Sequence, residues 1–112
     1  MNFKLIMAMI DDQKVEAVME AARAAGASGA TIIPQARGQG LHRHLTFFGL
    51  EYLGARNILL YLVEASRSAA VMDAITEAGE LDESKHTGVA LELDVSRATG
   101  LGDHIKALQE QG

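Results

Sequence analysis

Ile6-Met7-Ala8-Met9-Ile10-Asp11 returns 53 residues later as Leu59-Leu60-Tyr61-Leu62-Val63-Glu64. The correspondence then runs without a gap to Ala25-Gly26 against Ala78-Gly79. Inside it, Ala17-Val18-Met19 recurs as Ala70-Val71-Met72. Each copy is an apolar run, a polar break, an amphipathic run ending in Ala-Gly, and a second apolar run. That pattern predicts strand–helix–strand, twice. Neither copy is long enough to bury a sheet face alone, so the two should close into one domain over residues 1–112.

Length and composition agree with this. A chain of 112 residues suits one domain with a modest core. The core must be aliphatic, since only 4% of residues are aromatic although 48% are hydrophobic. There is no cysteine, which excludes a disulfide scaffold, a thiolate metal site and a Cys nucleophile. A net charge of −5 argues against binding to nucleic acid or an anionic membrane. The apolar run at 5–10 is too short for a signal peptide or a membrane span, and no basic leader precedes it, so a cytoplasmic protein is expected.

Residues 3–10 are nearly continuously apolar, broken only by Lys4, and 58–63 are apolar throughout, as in strands covered on both faces. Asp11 or Asp12 should cap the first helix, in which Val15, Val18, Met19 and Ala22 form the inward stripe and Gly26 the stop. Pro34 cannot donate to a ladder and places the second strand, residues 30–37, at an edge. Ser66 or Ser68 should start the second helix, with Val71, Met72, Ile75 and Ala78 inward. Val89, Leu91, Leu93 and Val95 alternate with polar or small residues, as in a half-exposed edge strand. A short helix is expected near the end, capped by Asp103 with Ile105 and Leu108 inward.

Right-handed crossovers then give an α+β, ferredoxin-like βαββαβ sandwich. Its four-stranded antiparallel sheet has the first and third strands central, two helices on one face, and a long loop, residues 37–56, between the second and third strands. The central strands are apolar on both faces, yet the helices cover only one. A large apolar face on a soluble chain marks a partner surface, and another copy of the chain is the expected cover.

Several groups are candidates for chemistry. Residues 80–87 lengthen the second helix–strand turn and offer Lys85, His86, Thr87 and backbone amides before Gly88, groups able to cradle phosphate; a solvated acidic turn is the alternative. Arg37, Gly38 and Gly40 would let backbone and guanidinium approach an anion, or form the base of a hinge. Thr31 could present a hydroxyl at a subunit cleft or serve only as a β-branched strand residue. His42 and His44 flank Arg43 on one side of an extended segment. They fit a divalent metal if His86, Glu51 or His104 adds a third ligand, or equally a pH-sensitive tip. Phe47 and Phe48 are either partner anchors or rings packed under the loop. No serine stands in a recognisable nucleophile motif, and Met9-Ile10-Asp11-Asp12 replaces the arginine loop of acylphosphatases, so catalysis is not expected.

The duplicated unit, the length and the long loop resemble the P-II signalling proteins. Local sequences agree: Gly29-Ala30-Thr31-Ile32 opens the second strand, and Arg37-Gly38-Gln39-Gly40 opens the loop. Gly49-Leu50-Glu51-Tyr52 closes the loop, and Arg97-Ala98-Thr99-Gly100 follows the last strand. The resemblance implies a non-enzymatic homotrimer that binds ATP, ADP or AMP, with or without magnesium, in clefts between subunits. The ligand would be held by Thr31, Arg37, Gly38, Gly40, Lys85, His86, Thr87, Gly88 and Arg97. It also implies a loop that docks on a transporter or enzyme through His42, Arg43, His44, Phe47, Phe48 and Tyr52. His42 stands where the family carries the glutamine that helps bind 2-oxoglutarate, which argues against that metabolite. Tyr52 occupies the place of a modified tyrosine in some relatives, but its apolar neighbours argue against modification. A second family of the same fold, the trimeric divalent-cation tolerance proteins, implies a metal-binding function instead.

Overall fold

Unbroken apolar runs become the two longest strands. The computed structural model describes residues 2–34, 45–47, 50–52, 56–81, 88–103 and 106. Along the chain stand β1 (Phe3–Asp11), a 3-10 turn (Asp12–Lys14), α1 (Val15–Ala24), β2 (Thr31–Pro34), β3 (Leu45–Phe47), β4 (Leu50–Tyr52), β5 (Arg56–Glu64), α2 (Ala65–Ala78) and β6 (Gly88–Asp94). β2, β5, β1 and β6 lie side by side in that order, antiparallel throughout, with β1 and β5 central. This is the ferredoxin-like arrangement. A separate hairpin, β3 against β4, lies within the stretch expected as loop, and β5 begins at Arg56, two residues before the expected strand.

Register divides the side chains into two faces. Ile6, Ala8 and Ile10 of β1 and Leu59, Tyr61 and Val63 of β5 pack with Val18, Ala22, Val71 and Ile75 of the helices, all buried. At ~1.5–3 kcal/mol per buried aliphatic side chain, this layer is the main source of stability. The other face carries Leu5, Met7 and Met9 of β1, Ile58, Leu60 and Leu62 of β5, and Val89, Leu91 and Leu93 of β6, with Ile33 of β2. Met9 alone among these is buried. Ile33 and Leu93 are 44% and 43% exposed.

The duplication is visible in the pairing. Met7 stands opposite Leu60, its own counterpart in the repeat, so an approximate two-fold axis passes through that pair. Outward from it, Thr31 pairs with Leu60 as Leu91 pairs with Met7, and Ile33 pairs with Ile58 as Leu93 pairs with Leu5.

The helix ends differ from expectation in detail. Asp11 accepts the Gln13 amide at 3.1 Å and so caps the 3-10 turn, not α1 itself. α2 starts earlier than Ser66, with Glu64 as its N-cap. Ser68 is buried and donates to the Ala65 carbonyl at 3.0 Å. Gly26 (φ 120°) closes α1 as expected, with the Gly26 and Ala27 amides donating to the Arg23 and Ala22 carbonyls. At the end of α2 the left-handed residue is Glu80 (φ 51°), one position beyond Gly79. Asp103 is helical, where a cap had been expected; Ile105 and Leu108 lie outside the described residues.

Candidate functional site

The long connection and the turn before β6, which carry most of the sequence-derived candidates, both attach at one end of the sheet. Pro34, Asn57, Ile10 and Gly88 form a single row across the four strands. The long connection therefore departs from Pro34 and returns at Arg56 beside the β1–α1 turn, and residues 82–87 lead into Gly88 at that same end. Polar side chains tie these segments together. The Asn57 amide donates to Asp12, and Lys14 forms an ion pair with Glu80. Asn57 and Lys14 were missed by the sequence reading, which took Asp12 only as a helix cap and Glu80 only as part of the turn at 80–87. Their only prior signal is that polar residues interrupt or flank apolar runs, as in any turn.

Of the expected ligand residues, Thr31 is exposed and shares the face opposite the helices with Leu60, three rows from the Gly88 end. Gly88 has a packing role of its own: at φ 156°, a side chain there would collide with the Met9 carbonyl oxygen. Arg97 is exposed and follows the opposite end of β6, where Asp94 pairs with Lys4. Six residues of strand, roughly 20 Å, separate the Gly88 and Asp94 ends. Within one chain, then, β6 runs between Arg97 and the end that holds Gly88.

Arg37, Gly38, Gly40, Lys85, His86 and Thr87 lie outside the described residues, as do His42, Arg43, His44 and Phe48. Phe47 and Tyr52 belong to β3 and β4, paired with Leu50 and Leu45 respectively in the hairpin register. Among the described residues no group of three His, Asp or Glu could hold a metal ion. The metal reading rested on His42 and His44 with His86, Glu51 or His104 as third ligand; of these only Glu51, in β4, is among the described residues. A shallow groove between the helices is lined by Ala21, Ala24, Ala25, Ala74, Glu77 and Ala78, and offers a carboxylate but no cation to an anionic ligand.

Two titratable groups in the described fold are shifted. The Asp94 carboxylate, by hydrogen bond and charge, raises the Lys4 ammonium above its ordinary 10.5. Burial raises the Tyr61 phenol above 10.0, and its hydroxyl has no hydrogen-bond partner among the described residues. Neither group lies at the Gly88 end.

These features define a class: a duplicated ferredoxin-like domain whose inserted segments leave one end of the sheet. Within that class the chain belongs to the P-II family, nitrogen regulatory protein P-II, whose model matches residues 3–104. Proteins of this family are signalling regulators. No curated protein is matched by the sequence. Three solved structures share the fold. CPII from Thiomonas intermedia K12, bound to ADP, AMP and acetate, is 19% identical with a TM-score of 0.59, over 84% of this chain and 86% of that one. Arabidopsis thaliana PII bound to citrate is 21% identical with a TM-score of 0.62, over 85% and 78%. A PII-like signalling protein from Thermus thermophilus is 20% identical with a TM-score of 0.58, over 84% and 87%. Among the described residues no helix is long and apolar enough to cross a membrane.

Proposed function

We propose that this protein is a homotrimeric signal-transduction regulator. It binds an adenine nucleotide or a related small anion between subunits and acts on a transporter or enzyme through residues 37–56. It is a regulator and not a catalyst, and it works in the cytoplasm. The observation that carries the reading is the apolar sheet face opposite the helices, half-buried at Ile58, Leu60, Met7 and Leu91 and exposed at Ile33 and Leu93 among the described residues. Exposing such a continuous surface is costly, and a second copy is the occupant whose chemistry matches it.

The edges suggest how copies meet. The internal two-fold would permit face-to-face pairing, but it relates Ile32, 42% exposed, to Glu92 on the opposite edge. Unlike edges favour a head-to-tail contact, which closes into a ring. Such a ring would bring the Asp94 end of one subunit toward the Gly88 end of the next. Arg97 follows Asp94 by three residues, as Arg37 follows Pro34, the residue related to Asp94 by the two-fold. The ring would thus let two equivalent arginines, joined by Lys85, converge on one polyanion. ADP and AMP on the Thiomonas relative support an adenine nucleotide as that ligand.

Light scattering at micromolar concentration should report three chains, and Leu60→Asp should yield folded monomers. A stable wild-type monomer would remove both ring and cleft. Calorimetry with ATP, ADP and AMP, with and without magnesium, tests the ligand. Lys85→Ala should weaken binding about tenfold, the scale of one charge-assisted contact, and equal affinity would misplace the site.

A further inference from the structure

The two helices lie antiparallel. Lys14, before α1, meets Glu80, just past α2, and Arg67, in the first turn of α2, lies over Gly26, just past α1. Along the seam between them the side chains are small. Ala21, Ala24 and Ala25 on one side and Ala74, Glu77 and Ala78 on the other line an open groove of about 520 Å³. The internal repeat relates these residues in pairs, and Glu77 against Ala24 is the one departure. With a single polar group and an open mouth, the groove is not shaped to enclose a small molecule.

Its rim is acidic. Glu20 and Asp73, equivalent in the repeat, are exposed and lie one helical turn from Ala24 and Glu77 respectively. Glu20, Asp73 and Glu77 form no ion pair among the described residues. This placement works against the helix that carries it. Asp73 and Glu77 repel one another, and Glu77 sits in the last turn, where the free carbonyls are already negative. The last turn of α1 holds Arg23; that of α2 holds no basic residue. Carboxylates that cost local stability and stay unpaired point to positive charge supplied from outside. A second copy of the chain is a poor source, because its helices bring the same carboxylates.

We propose that this groove docks a cationic amphipathic helix of a partner protein. The aliphatic stripe of that helix fills the alanine-lined floor, where small side chains allow close approach. Lysines or arginines flanking the stripe reach Glu20 on one rim and Asp73 and Glu77 on the other. The groove lies on the helix side of the sheet, away from the face assigned to the ring, so docking does not depend on the function proposed above.

Fluorescence anisotropy tests it with the full chain and a labelled synthetic helix of leucine and lysine, the leucines on one stripe. A scrambled peptide of the same composition is the control. The amphipathic peptide should bind saturably and roughly tenfold more tightly than the scrambled one. Glu20→Lys combined with Asp73→Lys should weaken it about tenfold by reversing both rims, with melting temperature and light scattering unchanged. Ala24→Trp, at an exposed position, should obstruct the floor and weaken binding without altering the rims. Absence of saturable binding, equal binding of the two peptides, or unchanged binding in these variants overturns the proposal. A change of oligomeric state in Ala24→Trp would assign the groove to a second copy and overturn it as well.

Discussion

The first half of the chain, β1-α1-β2, and the second, β5-α2-β6, solve the same packing problem with different residues. Where the sheet meets the helices, they agree in kind: Ile6 and Leu59, Ile10 and Val63, Val18 and Val71, Ala22 and Ile75 are all buried. Where they diverge, a second demand has been met. Tyr61 fills the space opposite Ile6, while Ala8 is its small counterpart. Glu92 replaces the apolar Ile32 across the two-fold, and Glu80 replaces Gly26 at a helix end. Repetition thus separates what the fold requires from what has been added to it.

Substitutions at the diverged positions would break or sharpen that contrast. The largest effect is expected at Gly88, which brings β6 against β1 where no side chain fits. Gly88→Ala should cost about 2–4 kcal/mol in urea unfolding, from strain and a backbone shift at Met9. A loss under roughly 1 kcal/mol would mean the strand start yields easily. Next come the glycines matched by the repeat. Gly26→Ala should cost about 1–2 kcal/mol, because φ is 120° there. Gly79→Ala, at an ordinary φ of −83°, should cost less and only through crowding with Leu81 and the Ile75 carbonyl. Equal losses at the two sites would contradict the different roles assigned to them.

A smaller effect of opposite sign is expected at Tyr61. Removing its buried hydroxyl, which has no partner among the described residues, by Tyr61→Phe should raise stability by about 1 kcal/mol. Destabilisation would reveal a bond that the hydroxyl makes after all. The smallest effect appears in alkali. Both Lys4 and Tyr61 have folded values above their ordinary ones, so their contributions are intact below about pH 10 and fade as pH rises through the raised values. Tyr61→Phe should flatten that decline between the ordinary and raised phenol values, as read by melting temperature against pH.

Much of this fold was legible because burial on one or both faces leaves a pattern in composition. The apolar runs at 5–10 and 58–63 marked the central strands, and the alternation Val89-Leu91-Leu93 marked an edge. The hairpin Leu45–Phe47 with Leu50–Tyr52 was not legible, since three residues are too few to show a period and their neighbours include glycines. The second helix ends at Ala78, where its run of letters ends in Ala-Gly, but the letters did not show that Glu80, one residue beyond Gly79, takes the left-handed position. At the candidate site, sequence marked residues 37–56 and 80–87 as additions to the repeat but gave no sign of the Asn57–Asp12 and Lys14–Glu80 contacts. Their roles depend on pairing across strands and helices far apart in the chain.

Strands that are apolar on both sides have a cost during folding. In a half-buried strand, slipping by one residue turns polar groups inward and is rejected at once. In β1 the same slip would exchange Ile6, Ala8 and Ile10 for Leu5, Met7 and Met9, and hydrophobicity alone would scarcely notice. Rejection must come from the margins: Lys4 meeting Asp94, Asn57 meeting Asp12, and Gly88 fitting only against Met9. These contacts act as alignment marks, suppressing near-degenerate misfolded sheets that would otherwise trap the chain. Removing the charged marks should therefore slow refolding more than it lowers equilibrium stability.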